Sequence, residues 1–127
     1  MDDYDPHQAP EPKEWLALDE GERIYLVEQY HRQARIRLPN VTVHAIMHAV
    51  IENQIALGDE IPVRRTLQRL MSEGLDRHDA LHAIGSVLAM HMHDLVSRPK
   101  TTSDADPNEA YYAALERLTA EDWRQSG

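Results

Sequence analysis

His44 and His48 lie four residues apart in Val43-His44-Ala45-Ile46-Met47-His48-Ala49-Val50-Ile51-Glu52-Asn53-Gln54, and His78 and His82 repeat that spacing in Arg77-His78-Asp79-Ala80-Leu81-His82-Ala83-Ile84-Gly85. Four residues advance an α-helix by slightly more than one turn, so each pair stacks on one helical face. Two such faces turned toward each other would make a metal site. Neutral imidazole nitrogens bind Zn, Ni, Fe or Cu, and two histidines one turn apart can share an ion whose further ligands come from another element. Glu52, one further turn along, is a candidate carboxylate ligand or an orienter of the ligands. The candidate metal ligands are therefore His44, His48, Glu52, His78 and His82, and the expected cofactor is a divalent transition metal: Zn, Ni or Fe. The competing reading of the same residues is a set of histidines at the edge of a helical core, hydrogen-bonded to one another or to Glu52 and Asp79.

Narrower signals carry less. His78-Asp79-Ala80-Leu81-His82 resembles the zinc-peptidase H-E-x-x-H pattern with aspartate in place of the general base. The simpler expectation is that Asp79 completes a D-x-x-D helix cap with Asp76. Glu28-Gln29-Tyr30-His31 has the E-x-x-H spacing of carboxylate-bridged di-metal bundles, but such a centre needs a second copy and two more glutamates. His91 and His93, two apart on a helix, face different ways, and His7 is expected to be solvated. A nucleotide site is disfavoured because no Gly-rich phosphate-cradling loop is present, and no serine sits in a nucleophile elbow.

The elements that must position these residues follow from periodicity and capping. Residues 1–13 combine acidic residues with Pro6, Pro10 and Pro12 and hold almost nothing to bury, so a disordered, mobile acidic tail is expected, followed by a single domain over 14–127. Trp15-Leu16-Ala17-Leu18 is a short anchor. Asp19 and Glu22 form a capping box ahead of a first helix that runs to about Arg35. Pro39-Asn40 marks the start of a second helix, about Val41 to Leu57, with Gly58 free to take the left-handed C-terminal turn. Its apolar stripe is Val43, Met47, Val50 and Ile51, with His44, His48 and Glu52 along one border. A third helix spans about Pro62 to Glu73 and stops at Gly74. Asp76 caps a fourth, about Arg77 to Ser97, whose stripe is Leu81, Ile84, Leu88, Met92 and Leu95, bordered on the matching side by His78 and His82. Residues 98–106 read as an exposed loop. A fifth helix runs from about Pro107 to Leu118, and Thr119 caps a last turn that carries Trp123. No alternating run suggests a strand, so the fold class is all-α, a single-domain bundle of about five helices.

The chain has 127 residues, enough for one domain with a sizeable core, and no cysteine, which excludes disulfides and thiolate ligands. Its formal net charge of −9 argues against nucleic acid as a general partner. No secretory signal and no run of about 18 apolar residues is found, so a soluble cytoplasmic protein with no membrane partner is expected.

The run from Pro39-Asn40 through His44, His48 and Glu52-Asn53-Gln54, then Leu70, Gly74-Leu75, Arg77-His78, Leu81-His82 and Ile84-Gly85, resembles bacterial domain-of-unknown-function family 1841. The resemblance covers roughly residues 38–96. Pro39-Asn40 reverses the leading dipeptide of that family's pattern, and Asp79 replaces a glutamate. What it implies is that residues 38–96 form one unit; it adds no activity. Two functional classes follow. The first is a histidine-rich metal-binding helical protein, which could be a metal-dependent, hydrolase-like enzyme. The second is a non-catalytic interaction module, a homodimer or the partner of another protein, with structural histidines and no metal.

Overall fold

The computed structural model describes residues 1–34, 41–97 and 108–126. Among them are seven α-helices and no strand: α1 (Pro12–Ala17), α2 (Glu20–Gln33), α3 (Val41–Ala56), α4 (Val63–Ser72), α5 (Arg77–Ser97), α6 (Asn108–Arg117) and α7 (Ala120–Ser126), with a 3-10 turn at Gly58–Glu60. The all-α class expected from periodicity is what the chain adopts. The anchor around Trp15 and the last capped turn are each short helices, which raises the number from five to seven.

Local chemistry starts and stops these elements. Asp19 Oδ1 accepts the Glu22 amide at 2.8 Å and Asp76 Oδ1 accepts the Asp79 amide at 2.8 Å, satisfying donors that a first helical turn leaves unpaired. Thr119 and Asp122 cap α7 reciprocally, the Asp122 amide donating to Thr119 Oγ1 at 3.0 Å and the Thr119 amide to Asp122 Oδ2 at 3.2 Å. Gly58 and Gly74 end their helices at φ of 74° and 108°, the left-handed region where a side chain would be strained. The expected boundary at Pro39-Asn40 and the expected loop at 98–106 lie outside the described residues.

α3 is the central element. Its sequence is apolar around most of its circumference, and such a helix is buried on more than one side. On one side Ile51 joins a cluster with Val63, Leu67 and Leu70 of α4, Leu81 and Ile84 of α5, and Tyr111 and Leu115 of α6. On the other, Ala45 and Ala49 pack with Leu26 and Val27 of α2, Trp15 of α1 and Tyr4. Small side chains at Ala45 and Ala49, four apart, let α2 lie close. Gly85 does the same for α5: a Cβ there would lie 2.7 Å from Met47 Sδ. The two histidine-bearing helices therefore approach each other one turn beyond His82.

Three expectations are corrected. Residues 1–13 do hold something to bury: Tyr4 is 5% exposed and Pro6 is buried. The physical reason is that α2 and α3 leave a slot beside Trp15, with the Tyr4 and Trp15 ring centroids 5.6 Å apart. Val43, placed on the apolar stripe of α3, is exposed, whereas His48 and Glu52, placed on its border, are each 1% exposed. A helix packed on two sides has no polar border there, because α2 and residues 4–7 cover it. Met92 and Leu95, assigned to the stripe of α5, are also exposed. At 21 residues α5 outruns the ten-residue α4 and α6 that pack against it.

α3 and α5 are joined in the interior by an ion pair. Arg77 donates from two guanidinium nitrogens to the two Glu52 oxygens, both at 2.7 Å, and donates again to the Pro6 carbonyl at 2.9 Å. Removing one partner from a buried pair leaves a charge with no counter-charge, so Arg77→Ala is expected to cost ~3–5 kcal/mol, whereas replacing both charges together with neutral groups of similar volume, as in Glu52→Gln/Arg77→Met, costs less. Urea denaturation in the presence of chelator tests this; an equal loss in the two variants would contradict it.

Candidate metal centre

The packing of α2, α3 and α5 gathers five imidazoles. His44 and His48 come from α3, His78 and His82 from α5, and His31 from the last turn of α2. Ring centroids lie 4.7 Å apart for His31 and His44, 5.1 Å for His31 and His48, 5.1 Å for His48 and His78, and 4.3 Å for His78 and His82. The two i, i+4 pairs read from the sequence do face each other. The four histidines His31, His44, His48 and His78 each offer one nitrogen such that all four atoms lie within 4.8 Å of one another, close enough that they could hold a metal ion. His82 adjoins the same group: its Nε2 is 3.1 Å from His48 Nε2 and 3.1 Å from His44 Nε2. Two nitrogens bound ~2.1 Å from one ion sit roughly 3.0 Å apart at right angles and about 3.4 Å apart at the tetrahedral angle. Both 3.1 Å contacts fall inside that range.

Hydrogen bonds behind the rings decide which nitrogens carry protons. His31 Nδ1 lies 2.8 Å from the Val27 carbonyl, which can only accept, so Nδ1 holds the hydrogen and Nε2 presents a lone pair. Among the described residues that buried Nε2 has no hydrogen-bond partner, and neither has His78 Nε2. For His48 the determinant is Tyr4. Its hydroxyl donates its one proton to Glu52 Oε2 at 2.6 Å and stands 3.3 Å from His48 Nδ1. The hydroxyl oxygen can then only accept from His48, which puts the hydrogen on Nδ1 and leaves the Nε2 lone pair facing His82. The Tyr4 hydroxyl stays protonated: burial raises its pKa well above the ordinary 10, and the neighbouring Glu52 charge raises it further.

Glu52, expected as a ligand or an orienter, stands behind the imidazoles rather than among them. Both of its oxygens are taken by Arg77, and one also by Tyr4. The physical reason is burial: a carboxylate this deep requires a counter-charge, and Arg77, one residue before His78, supplies it. The remaining link to the cluster runs through the Tyr4 hydroxyl. Asp79 lies at the exposed start of α5, its amide bonded to Asp76, as the capping reading expects. Glu28 pairs with Arg32 at 3.5 Å instead of joining His31 in a di-metal motif. His7 is exposed, yet its ring packs edge-on against His78 with centroids 5.4 Å apart. His91 is on the far half of α5, stacked on Tyr111.

His31 is the member that spacing did not assign to the cluster. The available signal was its place four residues after Val27 on the inward stripe of α2. Tyr4 and Arg77 carried no signal as parts of the site, since both reach it only through the tertiary fold.

Four of the five imidazoles, those of His44, His48, His78 and His82, are held neutral at ordinary pH. Burial first, and then the neighbouring imidazoles, lower the pKa of His44, His78 and His82 from an ordinary 6.5 to about 4 in each case. His48, the most enclosed of the four, is lowered more, again by burial first and then by its histidine neighbours. The neutral ring is the form that offers a lone pair to a metal.

Comparison with family models, with curated proteins and with solved structures finds no match to this chain. No helix among the described residues is long and apolar enough to cross a membrane.

The depressed histidine pKa values give a pH dependence to the metal-free fold. The unfolded chain protonates these rings near pH 6.5 and the folded chain only near 4, so between those values the unfolded state binds more protons. Stability is thus complete above about pH 6.5 and is lost as pH falls toward 4. Urea midpoints measured in chelator across this window are expected to fall with acid, and His82→Gln is expected to flatten the slope between pH 5 and 6.5 by roughly a quarter, one of the four depressed histidines being removed. A midpoint flat across the window would contradict it.

Proposed function

We propose that this protein binds one transition-metal ion through the imidazoles of His31, His44, His48, His78 and His82. The observation that carries the reading is that two of the three buried ring nitrogens without a hydrogen-bond partner among the described residues, His31 Nε2 and His78 Nε2, lie in rings packed on the same cluster; the third, His91 Nε2, stands alone outside it. A buried polar atom without a partner costs ~1–3 kcal/mol, and two in one cluster call for a shared partner. A proton satisfies one lone pair at a time. A cation satisfies all of them.

The donor set narrows the ion. With Glu52 engaged by Arg77 and Tyr4, the described ligands are nitrogen only. Calcium, magnesium and manganese prefer oxygen, whereas imidazole suits Zn, Cu, Ni and Fe. The two-histidine, one-carboxylate arrangement of non-haem iron oxygenases has no carboxylate here, which favours Zn, Ni or Cu over Fe(II). We assign no reaction. A general base must reach the group it deprotonates, and Asp79, the candidate in the H-D-x-x-H reading, points to solvent at the start of α5. Kinship with domain-of-unknown-function family 1841 is likewise our proposal, resting on the His44, His48, Glu52-Asn53-Gln54 and Arg77-His78, His82, Gly85 motifs.

A second reading, association with another protein or a second copy, draws on one observation: Met92, Leu95 and Val96, at helical spacing on the outer half of α5, are all exposed. The two readings are compatible, since the face lies on the half of α5 away from the histidines.

Elemental analysis of untagged protein purified without chelator tests the metal reading. About one ion per chain is expected in the wild type, lost in His48→Ala/His82→Ala and retained in His91→Ala, which removes a histidine outside the cluster. No ion in the wild type, even after incubation with Zn(II), Ni(II) or Cu(II), would sink it.

A further inference from the structure

Residues 1–8 cross the histidine cluster as a strap. Six of the eight are exposed, and only Tyr4 and Pro6 enter the interior. The contacts they make there converge on the proposed ligands. The Tyr4 hydroxyl lies between Glu52 and His48, and the Tyr4 ring meets His48 edge-on with centroids 6.2 Å apart. The ring also meets Tyr30 edge-on at 6.4 Å, and Tyr30 in turn packs on His31 at 5.2 Å and His78 at 5.7 Å. The Pro6 carbonyl accepts from Arg77, and the next residue, His7, packs against His78.

These contacts are unequal in what they hold. Glu52 has two direct bonds to Arg77 besides its bond to Tyr4, so removing the Tyr4 hydroxyl takes no bond from the ion pair that joins α3 and α5. The Nδ1 proton of His48 depends on that hydroxyl. Without the Tyr4 hydroxyl as acceptor, that imidazole has nothing among its described contacts to keep its hydrogen on Nδ1 and its lone pair on Nε2. A segment with two buried residues and six exposed ones also opens at far lower cost than the core.

Resting on the metal-binding reading, we propose that docking of residues 1–8 is coupled to metal occupancy of the cluster, with Tyr4 as the positioning residue that fixes His48 for the ion. The coupling is reciprocal: whatever factor the docked strap adds to metal affinity, bound metal adds to docking of the strap. The strap is thereby a built-in control on retention of the ion. Anything that captures residues 1–8 in an undocked state loosens the metal without unfolding the helices.

The test uses Zn(II) as the probe on the full chain. Zn(II) affinity is measured by competition with a colour-forming chelator for wild type, Tyr4→Phe and Leu115→Ala, and amide hydrogen exchange at Asp5, His7 and Gln8 is followed with and without Zn(II). Tyr4→Phe keeps the ring and removes the hydroxyl. It is expected to weaken binding about 10–100-fold, the usual effect of losing a hydrogen-bond partner behind a ligating histidine. Leu115→Ala truncates the other apolar cluster, away from the strap, and is expected to bind Zn(II) as the wild type does even though it is less stable. Saturating Zn(II) is expected to slow exchange at the three strap amides in the wild type and not in Tyr4→Phe. Equal affinities in wild type and Tyr4→Phe, an equal loss in Leu115→Ala, or strap exchange indifferent to Zn(II) would each overturn the coupling while leaving metal binding intact. A wild type that takes up no Zn(II) would overturn both, and that outcome is distinct because it appears before any variant is made.

Discussion

The buried carboxylate of Glu52 is the constraint around which the molecule is arranged. At 1% exposure it cannot remain in the interior without a counter-charge and donors, and the chain meets that need from two other segments. Arg77 reaches it from the first turn of α5, Tyr4 from the amino-terminal strap, and α3 itself presents it at mid-helix. Meeting this one requirement fixes the register of α5 against α3 and draws the strap across the helices. It also sets the residues on either side: His78 follows Arg77 directly, and His48 stands one turn before Glu52, so satisfying the carboxylate brings both helices' histidines to the same level.

The histidines complement that arrangement. Burial keeps His44, His48, His78 and His82 neutral, because a protonated imidazole in this interior would lose its hydration. Neutral rings packed edge to face need their nitrogens satisfied, and the fold supplies acceptors for the outward ones: the Val27 carbonyl for His31 and the Tyr4 hydroxyl for His48. The inward nitrogens of His31 and His78 receive no such partner among the described residues. At those two nitrogens a metal would compete with no internal hydrogen bond. The Nε2 atoms of His44, His48 and His82 instead can share a single proton, with His82 Nε2 3.1 Å from each of the other two.

Part of the site was legible because helical spacing is a local property. The repeat of four between His44 and His48, and between His78 and His82, places each pair on one face whatever the rest of the chain does. Asp19, Asp76 and Thr119 announce helix starts through their own side chains, and Gly58 and Gly74 announce ends through their backbone freedom. Other parts were not legible. Tyr4 sits in an acidic, proline-containing stretch with no periodicity, and its burial depends on a slot that exists only after α2 packs on α3. Glu52 looked like a ligand because spacing along one helix cannot show that Arg77, 25 residues away, occupies both of its oxygens. The border position assigned to His48 assumed a helix with one buried face, whereas α3 is covered on two.

The sequence by itself determined the helices, their approximate ends, the two histidine pairs and the absence of thiolate chemistry, because each of these follows from residue type and near-neighbour spacing. The tertiary structure alone decided that His31 joins the cluster, that Glu52 is spent on Arg77, and that the amino-terminal strap sets the proton on His48. Those outcomes turn on which groups burial leaves in need of partners and which side chains happen to be within reach once three helices have packed. That is a property of the assembled interior, and no single segment carries it.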